Sequence, residues 1–157
     1  MASALPSLDH RIPPPAVLLI VAAAMWTVAE IAPLPRLFEA YRIAAAVLVG
    51  GLGASISVAG RMAFLRAKTT MNPLHPERAA ALVEFGIYRF TRNPMYLGLL
   101  VILVAWAIYL ASAWALIGLP VFVLYITRFQ ILPEERALTD KFGAAYSAYC
   151  ARVRRWL

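Results

Sequence analysis

The chain contains 157 residues, 62% of them hydrophobic and only 15% charged, and its mean hydropathy is +0.72. Such a balance lies far outside that of soluble domains and predicts an integral membrane protein. A net charge of +7 would suggest nucleic acid as the partner of a polar chain. Here the basic residues lie between apolar segments, so we expect them to set topology and contact anionic lipid headgroups, with no nucleic-acid partner.

Cysteine and histidine are too few for disulfide or metal chemistry. Cys150 is the single cysteine, and His10 and His75 lie far apart without helical ligand spacing. We therefore expect no metal site, and an inert thiol at Cys150, which has no basic partner in view. The first residues lack the basic and apolar regions of a cleavable signal, so the first apolar segment should remain as a membrane helix.

Apolar segments predict an all-α integral membrane fold with about four spans in a single domain, residues 1–157. The spans are placed at residues 16–32, 42–60, 94–111 and 113–131. The last two come from one uncharged run of 35 residues, Asn93 to Thr127. As a single helix this run would be ~52 Å long against a hydrocarbon core of ~30 Å, so it must fold back near residues 111–113 as a helical hairpin.

Small residues in the second span predict a surface for close packing against a neighbouring helix. Gly50 and Ala54, or Gly53 and Ser57, lie four residues apart on one helix face. Such pairs let two membrane helices approach closely.

The distribution of Lys and Arg predicts the topology. Six lie between Arg61 and Arg92 and six from Arg128 onward, whereas the loop between the first two spans holds only Arg36 and Arg42. By the positive-inside rule, the loop 61–93, the C-terminal helices 133–157 and both termini are cytoplasmic. In the tail, Leu138, Phe142, Tyr146, Tyr149 and Val153 form an apolar stripe, which predicts an amphipathic cytoplasmic cap.

The stretch GIYRFTRNPMYLG, residues 86–98, concentrates polar and aromatic residues at the start of the uncharged run. Asn93 followed by Pro94 is typical of a helix start, with Asn as N-cap and Pro at the first helical position. Arg89 and Arg92 could then contact phosphates while the tyrosines join an aromatic belt. Helix capping alone does not account for this density, which favours a binding site.

Glu134 and Glu135 follow Pro133 at the start of the tail. Carboxylates in a first helical turn interact favourably with the helix dipole, which is sufficient to explain a surface helix. Adjacent helical side chains point about 100° apart, however, so one carboxylate can face the bundle. Together with Arg92 it would make a site with both charges, which suits a zwitterionic ligand.

These ordered elements resemble the isoprenylcysteine carboxyl methyltransferase family and the related phospholipid methyltransferases. The family motif Gly-x-Tyr-x-x-x-Arg-His/Asn-Pro-x-Tyr-x-Gly is matched by Gly86, Tyr88, Arg92, Asn93, Pro94, Tyr96 and Gly98. A Glu-Glu pair and a Phe-Gly-x-x-Tyr-x-x-Tyr tail ending in Arg-Trp are matched by Glu134, Glu135, Phe142, Gly143, Tyr146, Tyr149, Arg155 and Trp156. The resemblance covers roughly residues 60–157. The loop NPLHPERAAALVEFG also resembles the loop of bacterial members, which implies a bacterial inner membrane.

The resemblance implies a cytoplasmic pocket for S-adenosylmethionine. The implied cofactor-binding residues are Leu82, Val83, Gly86, Tyr88, Arg92, Asn93, Pro94, Tyr96, Leu97, Gly98, Glu134, Glu135 and Tyr146. The implied catalytic residues are Arg92, Glu135 and Tyr96, and the implied substrate-binding residues are Tyr149, Arg152 and Trp156.

The chemistry of this cofactor suggests roles for these residues. Arg92 or Arg89 would engage its carboxylate, and Glu134 or Glu135 its ribose hydroxyls or ammonium. Tyr88, Tyr96 and Tyr146 would shape the methyl-transfer tunnel, whose aromatic faces attract a sulfonium cation. Many members have histidine where this chain has Asn93, and an amide cannot serve as a base. Glu135 is then the candidate base for any acceptor that needs one.

Several functions remain open at this stage. The first is methyl transfer to a lipophilic acceptor, such as the carboxylate of an isoprenoid-like or lipidated molecule, entering laterally from the membrane. A phospholipid N-methyltransferase and a thiol S-methyltransferase are alternatives within this class. A non-catalytic membrane subunit that binds lipid or a partner protein is the alternative from another class. Membrane sterol reductases share part of the arginine motif, but they have many more spans.

Overall fold

The computed structural model describes residues 12–31, 39–67 and 81–157. Within these ranges the chain forms helices joined by turns and irregular segments, and no strand. The α-helices are α1 (Pro14–Ile31), α2 (Glu39–Arg66), α3 (Pro94–Leu110), α4 (Gly118–Ile126), α5 (Leu132–Phe142) and α6 (Ala144–Arg152). Short 3₁₀ turns cover Gly86–Arg89 and Trp114–Ile117, and a π-helical turn covers Thr127–Ile131.

Three of the described helices are long and apolar enough to cross a membrane, which confirms the all-α integral membrane fold. They are Pro14–Ile31, Glu39–Arg66 and the continuous helix Trp114–Phe142, which we call the long helix. The fourth apolar helix, α3, has 17 residues, the lower limit of the ~17–25 residues that span a hydrocarbon core. The turn between α3 and the long helix falls at residues 111–113, as predicted.

The helix bounds differ most from the predicted spans at two places. Helix α2 continues to Arg66 rather than ending at residue 60, so Arg61 lies on a helix and not in the loop. The long helix also passes through residue 132 without a break, although Pro133 suggested a new start. The π-helical turn ends at Ile131, two residues before Pro133, and widens the backbone there, so the helix continues through a residue that lacks an amide donor.

The tail forms two helices, α5 and α6, and the predicted apolar stripe extends over both. Gly143 separates α5 from α6 and has φ of +52°, a left-handed conformation that glycine adopts without steric cost. The apolar stripe continues from α5 to α6. Tyr146, Tyr149 and Val153 are buried together, and Leu138 and Phe142 pack against them. The stripe therefore closes over one end of the bundle.

Helices α2 and α3 pack with their backbones close together at Gly53 and Gly98. A Cβ atom added to Gly53 would lie 2.7 Å from the carbonyl oxygen of Gly98, closer than any side chain can approach. Ser57, one turn along α2, also contacts α3 by donating a hydrogen bond to the carbonyl of Met95 at 3.2 Å. The predicted Gly53–Ser57 packing face is thus confirmed, whereas Ala54 of the alternative pair is exposed.

The main core lies between α1, α3 and the long helix. Its fully buried members include Met25, Leu103, Phe122 and Ile126. A hydrogen bond of 3.0 Å from the indole of Trp106 to the carbonyl of Ala22 fixes α1 against α3. Because the helices alternate in direction, the start of α1, the end of α2 and the start of α3 meet at the same end of the bundle as Glu134 and Glu135.

Candidate active site

A cavity of about 420 Å³ lies at the end of the bundle where these helices meet. Its walls come from five parts of the chain: the start of α1, the end of α2, residues 81–99, the end of the long helix, and α6. The lining residues are Pro13, Pro14, Pro15, Ser57, Arg61, Phe64, Ala81, Leu82, Val83, Tyr88, Arg92, Asn93, Met95, Tyr96, Leu99, Glu134, Glu135, Leu138, Tyr146 and Tyr149. Sequence-distant polar groups are thereby brought to one site.

Most residues predicted for a site do line this cavity. They are Leu82, Val83, Tyr88, Arg92, Asn93, Tyr96, Glu134, Glu135, Tyr146 and Tyr149. The other predicted residues lie outside the lining: Gly86, Pro94, Leu97, Gly98, Arg152 and Trp156. Gly98 packs against α2, Arg152 forms a 2.6 Å ion pair with Glu84, and Trp156 donates a hydrogen bond to Thr127 at 3.3 Å. Arg89 is exposed and also lies outside the lining.

Tyr96 and Glu134 join α3 to the long helix within the cavity. The tyrosine hydroxyl donates a 2.6 Å hydrogen bond to Oε1 of Glu134. Tyr96 is buried and Glu134 is half-buried. The second carboxylate oxygen of Glu134 makes no hydrogen bond or ion pair with the residues that the structure describes, so it is available to a ligand in the cavity.

Glu135 is held between two arginines. Its Oε1 lies 3.2 Å from Nη2 of Arg92 and accepts a 2.9 Å hydrogen bond from Nε of Arg155, while its Oε2 accepts a 2.7 Å bond from Nη2 of Arg155. Both oxygens of this carboxylate are therefore engaged. Glu135 is suited to orienting the two guanidinium groups, and the adjacent Glu134 is the carboxylate with a free oxygen.

The thiol of Cys150 has a basic partner, contrary to the sequence prediction. Nη1 of Arg92 donates to the Cys150 sulfur across 58 positions of sequence. The prediction considered only neighbours in sequence, and this contact forms because α6 folds back over the start of α3. Cys150 is half-buried next to the cavity wall and is the single cysteine of the chain.

Asn93 does not form the predicted side-chain cap of α3. Its Nδ2 instead donates a 2.9 Å hydrogen bond to the backbone carbonyl of Arg155. Pro94 does occupy the first turn of the helix, as predicted. The backbone nitrogen of Asn93 donates to Oγ1 of Thr91 at 3.2 Å, so the polar turn before α3 supplies its own acceptor. The amide side chain is therefore free to bind the C-terminal segment.

Three cavity tyrosines keep neutral hydroxyl groups. Burial raises the pKa of Tyr88, Tyr146 and Tyr149 above the usual value for a phenol. The hydroxyl of Tyr149 donates a 2.8 Å hydrogen bond to the carbonyl of Tyr88, which links α6 to the 3₁₀ turn. These side chains are suited to shaping the cavity and donating hydrogen bonds rather than to accepting protons.

Sequence reasoning missed the walls that come from α1 and α2. Pro13, Pro14 and Pro15 were expected only to stiffen the start of the first span, and Ser57 only to pack. Arg61 and Phe64 lie one and two turns after Ser57 on the same helix, and these spacings were the one available signal. Arg155 was part of the tail pattern, but nothing in the sequence indicated its pairing with Glu135.

A second, apolar groove of about 780 Å³ lies farther along the bundle, between α1, α2 and α3. Its walls include Trp26, Ile43, Leu103 and Trp106. On α3 the groove begins at Ile102, about one turn beyond Leu99, which lines the polar cavity. The polar cavity and the apolar groove therefore follow each other along the same side of α3.

Comparison with known proteins identifies the family. The model of the family described as phospholipid methyltransferase matches residues 41–145, more than half of the chain. The chain is also 49% identical over 63 residues to an uncharacterized protein of Haemophilus influenzae, a match that covers 40% of this chain and 100% of that protein. No solved structure matches the chain. The expected membrane methyltransferase family is thus confirmed, and the chain belongs to the phospholipid methyltransferase family.

Proposed function

We propose that this protein transfers a methyl group from S-adenosylmethionine to a lipophilic acceptor at the cytoplasmic edge of the membrane. One observation carries the proposal. A single cavity brings Arg92, Glu134 and several tyrosines together at the end of an apolar bundle. The family supports methyl transfer. The concentration of basic residues near this end supports its placement on the cytoplasmic side, with both termini there, in a bacterial inner membrane.

The residues of the cavity fit this cofactor. S-adenosylmethionine has a carboxylate, an ammonium group, a ribose diol and a sulfonium, and when bound it supplies an activated methyl group. The cavity volume of about 420 Å³ lies within the ~300–1,000 Å³ that is usual for small-molecule sites. The buried Nε of Arg92 has no hydrogen-bond partner among the described residues, and it is a suitable donor to a carboxylate.

The contacts suggest a division of roles between the two glutamates. The free oxygen of Glu134 would accept a hydrogen bond from the cofactor ammonium or ribose. Glu135 would keep Arg92 in place, since both of its oxygens already bind arginines. Leu82 and Val83 would face the adenine from the cavity wall, and Tyr88, Tyr96 and Tyr146 would surround the methyl group.

The acceptor would place its hydrocarbon part in the apolar groove and its reacting group in the cavity. An acceptor of this kind is a phospholipid amine, an isoprenoid-like carboxylate or a lipophilic thiol. The family favours the phospholipid amine. Alignment of a nucleophile with an activated methyl group supplies much of the acceleration. A carboxylate reacts as it stands, whereas an amine must first lose a proton, for which Glu134 is the better placed carboxylate.

Cofactor binding is the first experiment. Isothermal titration of the detergent-purified protein with S-adenosylmethionine should show saturable binding, which Glu134→Gln should weaken at least tenfold. Glu84→Gln is the matched control, because Glu84 pairs with Arg152 outside the cavity lining. Absence of binding to a folded wild type in lipid nanodiscs would refute the proposal and favour a non-catalytic lipid-binding subunit.

The acceptor is then identified by transfer of a radiolabelled methyl group. Vesicles of phosphatidylethanolamine and detergent-dispersed farnesylated cysteine represent the amine and the carboxylate classes. We expect label in the phospholipid, and loss of that label in Glu134→Gln. Label in the farnesylated cysteine alone would assign the carboxylate class instead.

A further inference from the structure

The last residues of the chain form a short segment that closes over the polar turn before α3. This C-terminal strap, residues 153–156, follows the end of α6 at Arg152. The backbone nitrogen of Arg92 donates a 3.0 Å hydrogen bond to the carbonyl of Arg154. The carbonyl of Arg155 accepts bonds from Oγ1 of Thr91 at 3.3 Å and from Nδ2 of Asn93 at 2.9 Å. Three successive residues of the turn thus bind the strap.

The side chain of Arg155 extends from the strap to the end of the long helix. Its two bonds to Glu135, at 2.9 Å and 2.7 Å, use both carboxylate oxygens in a two-pronged pair. Hydrogen bonding by Glu135 raises the pKa of the Arg155 guanidinium, which therefore stays charged. A planar guanidinium in this geometry fixes the orientation of a carboxylate as well as neutralising it.

Fixing Glu135 also determines where Arg92 lies. The side chain of Arg92 is 13% exposed and its Nη2 lies 3.2 Å from Oε1 of Glu135. Arg155 does not line the cavity, whereas Arg92 and Glu135 do. If Arg155 were lost, Glu135 could change rotamer and pair with Arg92 through both oxygens. This would rotate the guanidinium away from the position that it has in the cavity.

We propose that Arg155 is a positioning residue, and that the strap forms the outer support of the cofactor pocket. Arg155 acts through Glu135 on Arg92 and needs no contact with a ligand. The inference rests on the proposed function for the identity of the ligand, S-adenosylmethionine. The coupling of Arg155 to the turn at residues 91–93 is a property of the protein itself.

Titration of S-adenosylmethionine into three variants tests the role of Arg155. Arg155→Met removes both the charge and the two-pronged pair with Glu135, whereas Arg155→Lys keeps the charge without the two-pronged pair. Arg154→Met removes an equal charge from the adjacent residue. The side chain of Arg154 is exposed and forms no hydrogen bond or ion pair within the described part of the chain, and its carbonyl remains in the variant. We expect Arg155→Met to bind S-adenosylmethionine about tenfold more weakly and Arg155→Lys to lose an intermediate part of the affinity. The affinity of Arg154→Met should change by less than about twofold.

Hydrogen exchange without cofactor provides the second measurement. In Arg155→Met the peptide that contains residues 91–93 should exchange faster than in wild type, while Arg154→Met should match wild type. Equal exchange in all three proteins would overturn the inference. Wild-type affinity for S-adenosylmethionine retained in Arg155→Met would also overturn it and leave the proposed function intact. Failure of the wild type to bind the cofactor would instead refute the proposed function and, with it, the cofactor role of Arg155.

Discussion

The hydroxyl of Tyr96 donates a 2.6 Å hydrogen bond to Oε1 of Glu134, and this bond joins the first turn of α3 to the long helix. The two residues are 38 positions apart in the chain. Tyr96 is 6% exposed, so the bond forms away from bulk water. Removing the donor of a buried hydrogen bond costs about 1–3 kcal/mol, because it leaves a poorly solvated carboxylate oxygen without a partner.

Tyr96→Phe should therefore lower the free energy of unfolding by about 1–3 kcal/mol and weaken cofactor binding. The measurements are reversible denaturation in mixed micelles and titration with S-adenosylmethionine. Tyr109→Phe is the control, since it makes the same chemical change at the other end of α3, outside the cavity lining. Equal stabilities of the two variants would show that the Tyr96–Glu134 bond adds nothing to stability.

Gly98→Ala should separate α2 from α3. A Cβ atom at this position would approach the Ser57 backbone nitrogen to 2.8 Å, which forces the helices apart. We expect a loss of about 1–3 kcal/mol, as for other overpacked sites. Thermal unfolding in detergent measures it. Gly51→Ala is the control, because an added Cβ there meets nothing within 4 Å, and a similar loss in that variant would contradict the packing explanation.

Ala111→Gly should stabilise the hairpin turn. Ala111 ends α3 with φ of 49°, a left-handed conformation that costs a non-glycine residue energy. Replacement by glycine should raise the free energy of unfolding by about 0.5–1 kcal/mol. At Ala113, φ is −62°, so Ala113→Gly should destabilise instead. Chemical denaturation should therefore show changes of opposite sign in the free energy of unfolding of the two variants. Changes of the same sign would refute this account.

Cys150 should report on cofactor binding. Its sulfur contacts Arg92, and it is the one cysteine, so a thiol reagent labels a single site. A bulky maleimide at this position would displace Arg92 and weaken binding of S-adenosylmethionine at least tenfold. Bound cofactor should in turn slow the labelling, as mass spectrometry would measure.

Cys150→Ser is the control for this experiment. The serine variant should bind the cofactor and lose all sensitivity to the reagent. If the labelled wild type bound the cofactor normally, the contact between Cys150 and Arg92 would have no bearing on the pocket.

Much of the fold could be predicted because it depends on local composition. The uncharged run from Asn93 to Thr127 is too long for one span, so the hairpin turn follows from length alone. The packing face at Gly53 and Ser57 follows from helical spacing. The continuation of the long helix through Pro133 could not be predicted, because a π-helical turn leaves no clear composition signal.

The sequence by itself determined that this is an all-helical membrane protein and that Arg92, Tyr96 and the two glutamates belong together in a motif. The first conclusion depends on hydropathy, which is a property of neighbouring residues, and the second on the resemblance of the ordered motifs to the membrane methyltransferase family. Only the tertiary structure decided which glutamate is available, since Glu135 is occupied by arginines 43 and 20 positions away. It also decided that Cys150 has a cation beside it, and that α1 and α2 complete the cavity. Such contacts join residues far apart in sequence, and their geometry depends on how the helices pack.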